Sequence, residues 1–143
     1  MRNALTFRRR TAKRRRGTAV VEFALVAPLF IMLVFGILEY GRMVMVQQVL
    51  TNATREGARA AVLDGATSDS VIAKVNTYLN GASMPNAAVT VNPTNPSAAA
   101  MGDPVTVTAQ LTFGQVSWLP SPMYISGSQI LQSNCVMRRE AAQ

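Results

Sequence analysis

The sequence predicts an α+β protein: a long N-terminal transmembrane helix that extends outward, then a small head with one short helix and an antiparallel sheet of about three strands. Three observations predict this fold. An apolar run long enough to cross a bilayer follows a basic N-terminus. Helical signals continue beyond that run, and alternating apolar and polar residues then indicate strands. With 143 residues, the chain has room for one small domain and its anchor.

The basic residues are concentrated at the N-terminus. Eight of the 14 Lys and Arg residues precede Gly17, so the formal net charge of +7 belongs to a tail. From Thr18 onward, six basic residues stand against seven acidic ones, a difference of −1. A basic arm can bind nucleic acid through phosphates, but one beside an apolar run typically stays in the cytoplasm and sets topology. We therefore expect residues 1–17 to be a cytoplasmic leader, with no nucleic-acid partner.

The apolar run predicts a membrane span over residues 18–40. Phe23–Leu38 contains no charged residue, and residues 19–21 extend the run to about 20 residues around Glu22. At about 1.5 Å per residue, this length crosses a hydrocarbon core of about 30 Å. The basic flank places the N-terminus in the cytoplasm and the C-terminus in the periplasm. A cleaved secretory signal would need a shorter apolar region and a small-x-small site. Pro28 is expected to loosen the helix locally.

Glu22 is the single acidic residue within this apolar run. A carboxylate inside the hydrophobic layer is costly and usually has a partner. An anchor that needed only hydrophobicity would not require it, although a glutamate near the interface can also extend towards the headgroups. We therefore treat Glu22 as a candidate functional residue.

Helical signals continue past the apolar run to about residue 63, so residues 41–65 are expected to extend the helix outside the membrane. Opposite charges have i,i+3 spacing at Glu39 and Arg42 and again at Glu56 and Arg59. Asp64-Gly65 has the composition of a helix stop. A stripe of small residues permits close approach by this chain's own head or by a partner subunit. The stripe consists of Ala53, Gly57 and Ala61.

Residues 66–143 are expected to form the head. Thr67-Ser68-Asp69 can cap a short helix, and Asn80-Gly81 can end it. Alternation predicts three strands, around residues 89–91, 105–113 and 131–137, separated by loops at 92–103 and 118–128. So small a head has a thin core, which favours association with a partner.

The chain has no histidine and a single cysteine, Cys135. An internal disulfide, a Cys- or His-based metal site and a nucleophile activated by histidine therefore cannot be built. The aspartates at 64, 69 and 103 lie in turn-like settings, where they usually cap or bend the backbone. We expect no enzyme activity, no metal and no cofactor. Cys135 is interpreted as a buried small hydrophobic residue in a strand, the alternative being an intermolecular thiol.

Two sequence motifs carry a resemblance to a known family. The string RRRGTAVVEFALVAPLF places Gly17 directly before the apolar run and Glu22 five residues after it. This pattern resembles the class III signal of type IV pilins and pseudopilins. Together with Arg55-Glu56-Gly57-Ala58-Arg59, it resembles the TadE-like family of the tight-adherence, Flp-type pilus system. The C-terminal CVMRRE, residues 135–140, also resembles that family.

The resemblance implies a pilin-like structural and assembly subunit, either a minor pilin or a pseudopilin. It implies that a prepilin peptidase cuts between Gly17 and Thr18, and that Glu22, fifth in the mature chain, serves recognition and assembly. The implied partners are that peptidase, other pilin or pseudopilin subunits in a homo- or hetero-oligomer, the assembly platform and inner-membrane lipid. The subunit would stay in the inner membrane until it joins either an extracellular pilus or a priming complex of the assembly machinery. A candidate partner-contact segment consists of Arg55, Glu56, Gly57 and Arg59.

An alternative hypothesis is a membrane-anchored periplasmic binding or scaffold module that is not cleaved. Its contact surface would be the loop from Trp118 to Tyr124, which is rich in aromatic residues and prolines. The two hypotheses differ in the N-terminus that they predict for the protein in the membrane.

Overall fold

The computed structural model describes residues 12–119 and 123–139, with side chains described from residue 17 onward. Most of the predicted basic leader and Glu140 therefore lie outside the described residues. The described part contains two α-helices, three strands and two short 3-10 turns, which confirms the predicted α+β class. The elements are α1 (Ala12–Ala61), α2 (Ser68–Gly81), β1 (Ala88–Asn92), β2 (Pro104–Thr112) and β3 (Ile130–Arg138).

The chain divides into two units after Ile37. In the first unit, α1 presents an exposed apolar surface that includes Phe23, Leu29 and Phe30. Pro28 lies inside the helix without ending it. Among the described residues, α1 is the one helix long and apolar enough to cross a membrane. By length and composition it fits a single-pass membrane anchor.

The second unit begins at Leu38, so it includes the outer part of α1 as well as the predicted head at residues 66–143. We call this whole unit the head. Its sheet has the order β1-β2-β3, and both pairs of neighbours are antiparallel. One face of β2 is buried and the other is polar, as the alternation predicted. The buried face consists of Val105, Val107, Ala109 and Leu111. The opposite face of the sheet carries Thr106, Thr108, Gln132 and Asn134.

The head part of α1 packs closely against α2 and the buried face of the sheet. A Cβ added at Gly57 would overlap Val75 Cγ2 and would lie 3.2 Å from Val107 Cγ1, so only glycine fits there without displacement. Ala53 and Ala61 are also fully buried. The small-residue stripe is therefore used for packing within the chain's own head, the first of its two expected uses.

Local signals set both ends of α2. The Thr67 hydroxyl accepts the Ser70 N–H, and the Ser70 hydroxyl accepts the Thr67 N–H, which forms a reciprocal capping box. Three residues at helical spacing (Val71, Val75 and Leu79) enter the core. Before this helix, Gly65 has φ +74°, which explains why a glycine follows α1. The prediction of a capped short helix is confirmed.

Two details differ from expectation. Phe113 was predicted to end the second strand, but β2 ends at Thr112 and Phe113 begins a 3-10 turn, because the Gln115 side chain accepts the Thr112 N–H at 3.1 Å. Phe113 is nevertheless fully buried. Cys135 is half-buried, at the edge of the core, and is a free thiol.

Candidate functional site

The predicted processing bond lies on an open part of α1. A Cβ added at Gly17 would meet no heavy atom within 4 Å apart from its chain neighbours and the adjacent backbone of its own helix, and Thr18 is exposed. Glu22 is also exposed and follows Thr18 by four residues, so the two lie on the same face of the helix. Their separation along the axis is about 6 Å. The Gly17–Thr18 bond and the Glu22 carboxylate are therefore both accessible. A processing enzyme would have to recognise both.

Glu39, just after the apolar run, is the anchor point of a distant loop. Its side chain is buried, with 1% of the residue exposed. The carboxylate accepts the backbone N–H groups of Met123, Tyr124 and Ile125 at 2.5, 2.9 and 3.0 Å. Three such donors compensate for the removal of a carboxylate from water.

Arg42, one turn later on α1, holds the other side of the same loop. Its Nε donates to the Val116 carbonyl at 2.8 Å. Its guanidinium also lies 4.9 Å from the centre of the Trp118 ring, within range of a cation–π contact. Arg42 is buried as well. We call Glu39 and Arg42 the loop clamp, because together they fix residues 116–118 and 123–125 to one turn of α1.

The loop clamp was not predicted from the sequence. The i,i+3 spacing of Glu39 and Arg42 correctly indicated a helix, but these two residues bond the loop rather than each other. Among the described residues, the ion pairs instead involve Glu56 and Asp64. The signal available in the sequence was a pair of charges directly after an apolar run, where desolvated charges usually have specific partners.

The candidate partner-contact segment is divided between the head's core and its surface. Gly57 lies in the core, whereas Arg55 and Arg59 are exposed. Glu56 pairs with Lys74 of α2 at 2.8 Å and with Arg59 at 3.4 Å. The hydrogen bond from Lys74, aided by the charge of Arg59, holds the pKa of Glu56 below its usual range despite an opposing effect of desolvation.

An open groove of about 710 Å³ runs beside these charges. Two of its lining residues, Met137 and Tyr78, are largely apolar. Four others are charged: Arg55, Glu56, Arg59 and Lys74. The groove is thus built from α1, α2 and β3, and it contains three of the four residues of the candidate partner-contact segment.

The C-terminal CVMRRE motif has a structural use at Arg139. Its guanidinium donates to the carbonyls of Ser97 and Ala99 and pairs with Asp64 at 3.1 Å. Asp64 follows α1, so this arginine ties the end of α1 to the loop between β1 and β2. Among the residues that the structure describes, no group of three Cys, Asp or Glu side chains could hold a metal ion.

Residues 17–59 match a family model described as TadE-like protein. The match begins at the glycine of the predicted processing bond and ends at Arg59, the last residue of the candidate partner-contact segment. Comparison with curated proteins and with solved structures finds no match. The match confirms the TadE-like resemblance over residues 17–59, which form most of helix α1.

Proposed function

We propose that this chain is a minor pilin or pseudopilin of a tight-adherence type IV pilus, processed by a prepilin peptidase between Gly17 and Thr18. One observation carries the proposal: the TadE-like match starts at Gly17, where an exposed Gly-x4-Glu motif opens the apolar helix. Association with the pilus system follows from the family in general. The cleavage, the assembly role and the individual partners are our proposal.

Cleavage would give Glu22 a chemical role. The new α-amine on Thr18 is a cation at the start of an apolar helix, and it needs a partner where water is scarce. A neighbouring subunit displaced by about 6 Å along the axis would bring its own Glu22 to the level of this amine. A charge pair in low dielectric is strongly attractive, and a missing partner would leave an uncompensated charge. Glu22 would thereby set the axial register between subunits.

The surface of the first unit suits two environments in turn, first lipid and then the helices of other subunits. Its exposed side chains are almost all apolar from Val20 to Ile37, which suits lipid before assembly. The same surface can pack against other apolar helices once subunits leave the bilayer. We therefore place the chain in the bacterial inner membrane, with its N-terminus cytoplasmic and its head periplasmic, before it joins a pilus or an assembly complex.

The groove beside Arg55, Glu56 and Arg59 supports a partner contact by the head. Arg55 and Arg59 are exposed, and neither is needed to fill the core. A surface that combines apolar and charged side chains has the composition of a protein-binding surface. Another subunit of the pilus or its assembly platform would fit this surface.

The proposal is tested by Glu22→Ala in cells that produce the pilus. We expect the variant to reach the inner membrane in normal amount but to be depleted from sheared pili or from the isolated assembly complex. Val21→Ala, which removes methyl groups from the adjacent exposed position, is the matched control and should assemble normally. Normal incorporation of the Glu22→Ala protein would refute the register role.

A further inference from the structure

We propose that the head rests on the membrane surface through an apolar patch formed by Tyr40, Trp118, Met123 and Tyr124, with the indole of Trp118 in the headgroup region. We call these four residues the exit patch. The proposal goes beyond the pilin assignment, because it concerns how the anchored protein meets the bilayer whether or not it later enters a filament.

Chain connectivity places the exit patch beside the bilayer. Leu38 is the last residue of the apolar run, and Tyr40 follows it by two positions. The loop clamp then fixes the rest of the patch at the same level. Glu39 holds the backbone N–H groups of Met123 and Tyr124 at 2.5 and 2.9 Å. Trp118 lies 4.9 Å from the Arg42 guanidinium. A helix that leaves the hydrocarbon near Leu38 therefore brings all four side chains to the interface.

The exit patch is unusually exposed for its composition. Trp118 is 65% exposed and Tyr40 62%, and Met123 and Tyr124 are also more than half exposed. Trp and Tyr favour the membrane–water interface, where the ring meets apolar chains and its polar end meets headgroups. Exposure of this apolar surface to water is unfavourable in free energy, whereas contact with lipid would bury it.

The charges nearest the patch are already satisfied within the protein. The Glu39 carboxylate accepts three backbone N–H groups, and the Arg42 guanidinium has a carbonyl and an aromatic ring as partners. Neither residue requires bulk water, so contact of this end of the head with lipid does not leave a buried charge unpaired.

The charged groove lies at the other end of the head part of α1. Glu56 follows Glu39 by 17 residues, which corresponds to about 26 Å along a helix. The apolar and charged surfaces are therefore separated along the helix axis. This separation, together with continuity with the apolar run, favours lipid as the occupant of the exit patch over a second protein.

Trp118 is the single tryptophan of the chain, so its fluorescence reports on the patch without labelling. The full chain is inserted into vesicles of phosphatidylcholine and phosphatidylglycerol, with and without bromine atoms near the carbonyl end of the acyl chains. We expect blue-shifted emission, loss of intensity in the brominated vesicles, and protection from aqueous iodide.

A matched control moves the tryptophan to the charged groove. Trp118→Phe combined with Tyr78→Trp places the fluorophore on the surface of α2, in the groove that Arg55 also lines. Its emission should be quenched by iodide and unaffected by brominated lipid. The proposal is overturned if Trp118 behaves like this control. It is also overturned if its shielding appears only at high protein-to-lipid ratio, since a protein neighbour would then cover the patch.

Discussion

The Glu39 carboxylate accepts the Ile125 backbone N–H at 3.0 Å, joining positions 86 residues apart in the sequence. Two further N–H groups of the same loop point at this carboxylate. Glu39 directly follows the apolar run in the sequence, and its side chain organises a loop of the head. The consequences for stability can be tested without reference to the pilus.

Replacing Glu39 by Gln should lower the thermal stability of the head. The amide keeps one acceptor oxygen but presents an NH2 group to backbone donors, so at least one buried N–H loses its partner. Thermal unfolding of the full chain in detergent, followed by circular dichroism, should show a lower midpoint. Glu22→Gln makes the same chemical change at an exposed site of the same helix and should leave the midpoint unchanged. Equal midpoints for Glu39→Gln and wild type would refute the loop clamp.

Gly57→Ala and Gly41→Ala should have opposite effects on stability. Both glycines lie in α1, so both changes gain about 1 kcal/mol of helix propensity. At Gly57 the new methyl group meets Val75, whose branched side chain cannot easily rotate away, and overpacking of this kind costs about 1–3 kcal/mol. At Gly41 the added Cβ meets no heavy atom within 4 Å apart from its chain neighbours and the adjacent backbone of its own helix.

Urea unfolding gives the free energy of unfolding of the Gly57→Ala and Gly41→Ala variants. The difference between these two free energies gives the cost of packing a methyl group at Gly57. Equal stabilisation by both substitutions would contradict the close approach of α1 to α2 and β2.

Glu56 should make the head sensitive to acid. Because the hydrogen bond from Lys74 lowers its folded-state pKa below the ordinary value of 4.5, the unfolded chain takes up a proton at this site first as pH falls. Its stabilising contribution is therefore complete above about pH 4.5 and is lost as pH falls through the folded pKa. Urea midpoints measured from pH 7 to pH 3 should fall less in Glu56→Gln than in wild type.

Lys74→Gln is the companion to that experiment, since it removes the first cause of the shift while keeping Glu56. It should flatten the same part of the pH profile less completely than Glu56→Gln, because Arg59 still lowers the pKa of Glu56. The double variant should resemble Glu56→Gln. A wild-type pH profile in Glu56→Gln would show that this ion pair contributes nothing measurable, as happens with many exposed pairs.

Thr67→Ala should destabilise the head by about 1 kcal/mol, because the hydroxyl that caps α2 is lost. Thr77→Ala, at an exposed position inside the same helix, provides the control. It should be neutral or slightly stabilising, because alanine has the better helix propensity. Equal losses from the two threonines would argue against the capping box.

The features predicted from the sequence are those that nearby residues determine. The cap at Thr67, the alternation in β2 and the length of the apolar run are each complete within a short stretch of chain. The same holds for Gly17 and Glu22, whose spacing is read directly from the sequence.

The features that sequence reasoning missed depend on distant partners. Glu39 and Arg42 had a sufficient local explanation in their i,i+3 spacing, and nothing nearby indicated donors or acceptors 74 to 86 residues away. The stripe through Gly57 indicated close packing, but its actual neighbours, Val75 of α2 and Val107 of β2, are distant in sequence and could not be identified from it. The groove arises in the same way, because its walls come from separate elements.

The mature N-terminus tests the central claim most directly. The protein is produced with its cognate prepilin peptidase, extracted from the inner membrane and analysed by intact-protein and N-terminal peptide mass spectrometry. Gly17→Leu serves as the uncleaved control, because the new Cβ meets nothing within 4 Å beyond its chain neighbours and the adjacent backbone of its own helix. We predict a chain that begins at Thr18, having lost residues 1–17. A wild-type chain that keeps those residues beside an active peptidase would contradict processing and would favour the uncleaved, membrane-anchored module.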